Sequence, residues 1–253
     1  DLPEIQWYTD LVRTLAPKAQ IWAGEEGPIG GGDTGTCGNP DTSACGTFAT
    51  SIWYADNMAL RAKHGFVQFQ RQDLIGGWYG LTNSANAQQQ GPSLGPSEAL
   101  VLRPDFWVNF LWKRTLGTNV LNATSSRSQV RAYAFSGTPP SKYASSTCVA
   151  GVLQLLLINL DNSPVFTNLP TSPDSSQSSD ASYNAWTLTS SLKHDPFSQQ
   201  ASLNANGTLP QTVDTSKADP SKFLENIPVA PASASVSSGI SLPPQSVTFL
   251  CYS

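Results

Sequence analysis

The sequence predicts a mixed α/β part of parallel sheet or barrel type, followed by an all-β part. Residues 2–116 alternate helix-spaced apolar positions with short apolar runs, the pattern of helices and parallel strands. From about residue 122 onward, short apolar runs are separated by Pro, Ser, Asn and Asp, which is typical of antiparallel strands. We therefore predict a first domain over residues 1–121 and a second over residues 122–253.

The first domain is predicted to begin with a helix and a strand. Ile5, Tyr8 and Leu11 repeat at helical spacing, and a proline ends that helix before an apolar run. Gly65 caps a second helix at its C-terminus, and Pro104 occupies the first turn of a third. The predicted helices span residues 2–15, 47–64 and 104–116, and the predicted strands between them span residues 20–24 and 66–70.

The second domain contains short predicted strands bounded by turn-forming residues. They span residues 130–135, 152–159, 185–191, 211–214 and 246–251. In the first domain, two long loops, residues 26–46 and 73–102, each follow a predicted strand. Because parallel strands of a barrel end at one face, we expect both loops to emerge on the same face, where a functional site would lie.

Composition excludes several classes of function. The 253 residues include 18 acidic and 14 basic residues, giving a net charge of -4 without a basic block, which argues against a nucleic-acid partner. No apolar stretch reaches the roughly 20 residues of a membrane span. The only histidines are His64 and His194, and no Cys/His cluster has the spacing of a metal site, so we predict neither metal nor cofactor.

Cysteines and glycosylation motifs indicate an oxidising compartment. The chain has four cysteines, which we expect to form disulfides, and sequons at Asn122 and Asn206. It begins at Asp1 without an initiator Met or an apolar leader, so a signal peptide is either removed or not part of this chain. We predict a secreted, lysosomal or vacuolar protein, with membrane association left open.

The expected site face collects carboxylate, amide, guanidinium and aromatic side chains suited to binding and cleaving a sugar. At or just beyond the two strand ends stand Glu25, Glu26, Arg71, Gln72, Trp78 and Tyr79. Successive strand residues face opposite ways, so only one of Glu25 and Glu26 can easily point into the site. On the residues alone, a glutamate at this place is either a catalytic carboxylate or a salt bridge or loop cap.

Several motifs occur in an order that resembles a known family. They are Trp22-Ala23-Gly24-Glu25, Gly30-Gly31-Gly32, Arg71-Gln72-Asp73-Leu74-Ile75-Gly76-Gly77-Trp78-Tyr79-Gly80-Leu81, Pro104-Asp105-Phe106-Trp107, Gly117-Thr118-Asn119-Val120-Leu121 and Leu155-Leu156-Leu157-Ile158-Asn159-Leu160. This set resembles the heparanase and β-glucuronidase family, glycoside hydrolase family 79, in particular its plant members. The resemblance covers nearly the whole chain, although residues 166–246 match only loosely.

The resemblance implies the C-terminal part of a (β/α)₈ TIM barrel followed by an antiparallel β-sandwich. It implies that Glu25, at the end of the seventh barrel strand, is the nucleophile of a retaining mechanism. Glu26 stands where the family usually has a small hydroxyl residue. Two sets of residues are implied to bind substrate: Tyr79, Gly31 and Gly32, which would hold a glucuronic acid carboxylate, and Arg71 with Gln72, which would shape the neighbouring subsite. For Arg71, a structural salt bridge remains an equal alternative.

The cysteines and the missing partner carboxyl complete what the resemblance implies. Cys148 and Cys251 match a disulfide of the sandwich domain, whereas Cys37 and Cys45 lie in an insert that most members lack. The family's general acid/base is a Glu after Asn, and no Asn-Glu dipeptide occurs in the 253 residues. We therefore expect only the last two barrel strands here, with the N-terminal barrel half missing.

Three functional hypotheses follow. The first is a glycosidase of β-glucuronidase or heparanase type that cleaves glucuronic-acid-containing glycans, the isolated chain itself being inactive. The second is a non-catalytic carbohydrate-binding or interaction module, which the absent acid/base motivates. The third is a barrel glycosidase specific for a neutral sugar.

Overall fold

The computed structural model describes residues 2–28, 44–72, 74, 80–84, 99–140, 148, 152–170, 182–192, 195–198, 200–204, 207–209, 212–214 and 230–253. The helices are α1 (Leu2–Leu15), α2 (Phe48–Lys63) and α3 (Pro104–Thr115). The strands are β1 (Ile21–Glu26), β2 (Phe66–Arg71), β3 (Thr82–Ser84), β4 (Ala99–Leu102), β5 (Asn119–Leu121), β6 (Val130–Ser136), β7 (Gln154–Asn159), β8 (Val165–Thr167), β9 (Ser182–Ser190), β10 (Ala201–Leu203), β11 (Gly207–Thr208), β12 (Thr212–Asp214), β13 (Ala232–Ser235), β14 (Ile240–Leu242) and β15 (Ser246–Tyr252).

Strands β1 and β2 form a parallel pair covered by helices on one face. Ile5 of α1, Ala23 of β1 and Phe66 of β2 make a small buried core there. The opposite face of the pair is open, and Trp22 and Val67 on it are 55% and 58% exposed. The predicted helix–strand alternation is confirmed, and Gly65 ends α2 with a φ of +91° that favours glycine.

The second part of the chain is built on an antiparallel sheet of eight strands, in the order β11-β10-β9-β15-β7-β6-β5, with β13 also paired to β9. Alternate residues of its central strands enter two different cores. Phe249 of β15 and Ile158 of β7 pack with Trp107 of α3, whereas Leu250 of β15 packs with Leu242 of β14. The sheet therefore lies between helices on one face and the two-stranded sheet β14-β8 on the other.

The prediction of a long loop over residues 73–102 is wrong in part. Strands β3 and β4 lie within it, and they form an antiparallel sheet with β12 in the order β12-β4-β3. The short Ala-Leu-Val-Leu run of β4 pairs with residues more than a hundred positions further along the chain. Because this pairing is long-range, the sequence around β3 and β4 carries no local periodicity, and the two strands were not predicted.

The division at residues 121 and 122 stays a prediction, although β5 on its N-terminal side pairs with β6 on the other. The two parts also share a core that joins Phe48 and Trp107 from the helices to Trp186 from the sheet. None of the three helices in the described part of the chain is long and apolar enough to cross a membrane.

The disulfide between Cys148 and Cys251 is present and links residues 103 positions apart. Replacing both cysteines by alanine is expected to lower the free energy of unfolding by about 2–5 kcal/mol, because the crosslink restricts the unfolded chain. Denaturant unfolding of the two proteins under identical conditions measures this difference. Unchanged stability would contradict it. Cys45 is also disulfide-bonded, and Cys37 lies outside the described residues.

Candidate functional site

A β-bulge at the end of β1 determines which way the two strand-end carboxylates face. Ala23 pairs with Phe69 and Glu26 pairs with Arg71, so three steps along β1 oppose two steps along β2. A regular strand would place residues three apart on opposite faces, but the extra residue returns both Ala23 and Glu26 to the helix side. Both are buried, whereas Gly24 and Glu25 between them are exposed.

Helix α2 binds the side chain of Glu26. Its Oε2 accepts a hydrogen bond of 2.8 Å from Asn57 Nδ2, and its Oε1 lies 3.1 Å from Arg61 Nε. The Arg61 Nε also lies 3.2 Å from Asn57 Oδ1. Glu26 is 7% exposed, so both oxygens of a nearly inaccessible carboxylate are engaged. The salt-bridge alternative for a strand-end glutamate therefore applies to Glu26.

Arg71, at the end of β2, makes a buried ion pair with Asp105 in the first turn of α3. Its Nη2 lies 2.8 Å from Asp105 Oδ2, with the side chains 2% and 1% exposed. Thr50 and Ser51 of α2 donate to Asp105 Oδ1 at 3.0 and 2.9 Å. The structure thus shows the structural salt bridge that was left open for Arg71, whereas a substrate contact by Arg71 stays a prediction.

The same guanidinium also fixes the strand ends. Arg71 Nη1 donates to the backbone oxygen of Glu26 at 3.0 Å and to that of Gln72. Its Cζ lies 5.4 Å from the centre of the Tyr54 ring, a cation–π distance. Burial, together with the negative charge of Asp105, raises the pKa of the Tyr54 phenol, so this hydroxyl stays neutral at physiological pH.

The residues of α2 and α3 that bind Glu26 and Arg71 were not predicted from the sequence. One signal was available: polar residues and a tyrosine recur at helical spacing along α2, which the apolar pattern of that helix concealed. These are Thr50, Tyr54, Asn57 and Arg61. Asp105 directly follows the proline that begins α3, a position where an acidic side chain also suits the helix dipole. Neither signal shows which residue each of these side chains contacts in the folded protein.

The structure places the remaining predicted site residues as follows. Gln72 is exposed, and its backbone N–H donates to the oxygen of Glu26 at 3.0 Å. Asn122 is exposed directly after β5. Gly31, Gly32, Tyr79 and Asn206 lie outside the described residues. Within the ranges that the structure describes, no group of His, Cys, Asp and Glu residues could hold a metal ion.

Solved structures with the same fold are glycoside hydrolases. The family 51 arabinofuranosidase from Xanthomonas axonopodis pv. citri superposes with a TM-score of 0.51 and 14% identity, over 100% of this chain and 46% of that one. The family 30 subfamily 8 xylanase from Clostridium acetobutylicum gives 0.51 and 15%, over 96% and 44%. The chain thus has a fold found among glycoside hydrolases of TIM-barrel type, and the further division into barrel and sandwich stays a prediction.

Curated relatives narrow the similarity to heparanase-like proteins. Heparanase-like protein 1 of Arabidopsis thaliana is 31% identical over 164 residues, which are 63% of this chain and 25% of that protein. Heparanase-like protein 2 of the same plant is 30% identical over 152 residues, 60% and 23%. The chain therefore spans about a quarter of the length of these relatives. No protein-family model matches it. The predicted resemblance to heparanase-like proteins is confirmed.

Proposed function

We propose that this chain is part of a retaining glycosidase that cleaves glucuronic-acid-containing glycans, with Glu25 as the nucleophile. One observation carries the proposal. The bulge in β1 leaves the Glu25 side chain exposed on the face away from the helices, whereas Glu26 is committed to Asn57 and Arg61. Of the two strand-end carboxylates, only Glu25 is therefore accessible to a sugar. The similarity to heparanase-like proteins supports the reaction class.

The proposed chemistry needs two carboxyl groups about 5–5.5 Å apart. The Glu25 carboxylate attacks the anomeric carbon, and the bond to the leaving oxygen breaks as a second carboxyl protonates it. That second group then removes a proton from water, which displaces Glu25 from the glycosyl-enzyme. No Asn-Glu dipeptide occurs in the sequence, so we place the acid/base carboxyl outside these 253 residues.

The proposed specificity for an acidic sugar depends on Tyr79, Gly31 and Gly32. A phenol and backbone N–H groups can bind a carboxylate without a full positive charge. Gln72, exposed beside the strand end, is suited to bind a sugar hydroxyl through its amide. We further propose a secreted, lysosomal or vacuolar location, with glycans on Asn122 and Asn206, because both stand in sequons.

A second candidate is a carbohydrate-binding module without catalysis. It is favoured by Trp22, which is 55% exposed on the open face of the β1-β2 pair, where an aromatic ring could stack on a sugar. It is also favoured by the absent Asn-Glu dipeptide. A neutral-sugar glycosidase remains the third alternative, and it differs from the main proposal only in the substrate.

Hydrolysis and covalent trapping test these candidates on the natural polypeptide that contains this chain. An aryl glucuronide should be hydrolysed and the matching aryl glucoside should not. A fluorinated glucuronide inactivator, which forms a slowly hydrolysed glycosyl-enzyme, should label the peptide that carries Glu25. Labelling of another carboxylate contradicts the assignment. Cleavage of the glucoside alone supports the neutral-sugar alternative, and glycan binding without turnover or labelling supports the binding module.

A further inference from the structure

We infer that Glu26 is a positioning residue for the Glu25 carboxylate, acting through Asn57 and Arg61 of α2. The inference rests on the proposed function, because it concerns how the nucleophile is held. Glu26 is adjacent to Glu25 in sequence but faces the other way, towards α2. Its carboxylate is buried and bound by α2, so any effect on the reaction is transmitted through the backbone.

The extra residue of a bulge has no partner on the neighbouring strand, because the ladder of backbone hydrogen bonds is interrupted there. Its position therefore depends on the contacts of the residues on either side. On the N-terminal side, Trp22 and Ala23 pair in regular register with Gln68 and Phe69, and the register shifts again between Ile21 and Trp22. On the other side, the backbone oxygen of Glu26 accepts from the Gln72 N–H and from Arg71 Nη1, both at 3.0 Å. These contacts locate the peptide after Glu25, but they leave the rotation of the bulge about the strand axis to the Glu26 side chain.

The Glu26 side chain restrains this rotation because it is bound to helix α2. Asn57 and Arg61 lie one turn apart on α2, and each binds a different carboxylate oxygen. Arg61 is itself held by Asn57 Oδ1 at 3.2 Å and lies over the Phe66 ring, its Cζ 5.2 Å from the ring centre. Both carboxylate oxygens are therefore held by α2, an arrangement we call the clamp, and Arg61 compensates the negative charge of Glu26 next to the nucleophile.

Removing this clamp should reduce catalysis without impairing binding. Glu26→Gln keeps an oxygen for Asn57 but loses the ion pair to Arg61. Arg61→Gln removes the same ion pair by neutralising the other partner. We expect each variant to lower kcat on an aryl glucuronide by about 10–100-fold, because a displacement of about 1 Å can cost 10²-fold. KM should change less than about twofold, since neither residue contacts the sugar. Labelling of Glu25 by the fluorinated inactivator should slow by the same factor.

A double-mutant cycle separates this role from a general loss of stability. In the Glu26→Gln/Arg61→Gln protein, kcat should fall no further than in the worse single variant, because both changes break one interaction. Glu4→Gln, an exposed glutamate in α1, serves as the matched control and should leave kcat unchanged. The Arg61 side chain is 24% exposed, so Arg61→Gln is expected to fold even if Glu26→Gln does not.

The outcomes distinguish this inference from the proposed function. If the unmodified polypeptide is labelled at Glu25, but both clamp variants fold and keep the kcat and labelling rate of the Glu4→Gln control, the positioning role is wrong and the nucleophile stands. If KM rises while kcat is retained, Glu26 or Arg61 instead contributes to substrate binding and the inference is equally overturned. If the unmodified polypeptide shows neither turnover nor labelling, the proposed function fails and the positioning role with it.

Discussion

Glu25→Gln is expected to abolish hydrolysis of an aryl glucuronide, lowering kcat by roughly 10³-fold or more, the scale at which loss of a nucleophile stops covalent catalysis. Glutamine has almost the same shape but cannot displace the leaving group. KM should therefore change far less than kcat. Glu25 is exposed, and within the described residues its carboxylate makes no hydrogen bond or ion pair, so the variant should unfold at the same denaturant concentration as the unmodified protein.

Chemical rescue makes this prediction specific to a nucleophile. In a Glu25→Ala protein, azide can enter the space of the lost carboxylate, attack the anomeric carbon and displace the aryloxide as the bond from that carbon to the glycosidic oxygen breaks. The expected product is a glucuronyl azide of inverted configuration, which nuclear magnetic resonance identifies. Glu4→Gln is the control and should keep full activity without azide. Turnover by Glu25→Gln within tenfold of the unmodified enzyme would contradict the assignment, whereas an azide product of retained configuration would contradict the mechanism.

Asp105→Asn is expected to lower the free energy of unfolding by about 3–5 kcal/mol, because it leaves a buried guanidinium without its compensating charge. The side chains of Arg71 and Asp105 are 2% and 1% exposed, so water cannot replace the carboxylate. Asparagine keeps an oxygen for the hydroxyls of Thr50 and Ser51, which isolates the contribution of the charge. Denaturant unfolding followed by tryptophan fluorescence measures the loss, since Trp53 lies 5.9 Å from the Arg71 Cζ.

Two further variants control for this stability effect. Asp10→Asn makes the same chemical change at an exposed position of α1 and should alter stability by no more than about 0.5 kcal/mol. Arg71→Met/Asp105→Leu removes both charges, and it should be more stable than Asp105→Asn, because apolar side chains of similar volume incur no penalty for a buried charge. A double variant less stable than Asp105→Asn would show that the hydrogen bonds matter more than the charge balance.

The helices of this chain were predictable because their signals are local. The predicted helix over residues 2–15 coincides with α1. The signal for the end of α2 is also local, because Gly65 directly follows the C-cap residue His64. Strands β7 and β15 were recognisable as apolar runs because both of their faces are buried. In contrast, β3 and β4 are three and four residues long and are stabilised by pairing with each other and with the distant β12, which leaves no periodic pattern.

The sequence by itself determined that two carboxylates, Glu25 and Glu26, end a strand beside a helix, and its motifs pointed to the heparanase-like proteins. Only the tertiary structure decided which carboxylate is exposed. That choice depends on one extra residue in the pairing of β1 with β2, and on Asn57 and Arg61, which meet Glu26 only after α2 has packed on the strands. A one-residue shift reverses the faces of a strand, so its consequence cannot be read from the order of residues alone.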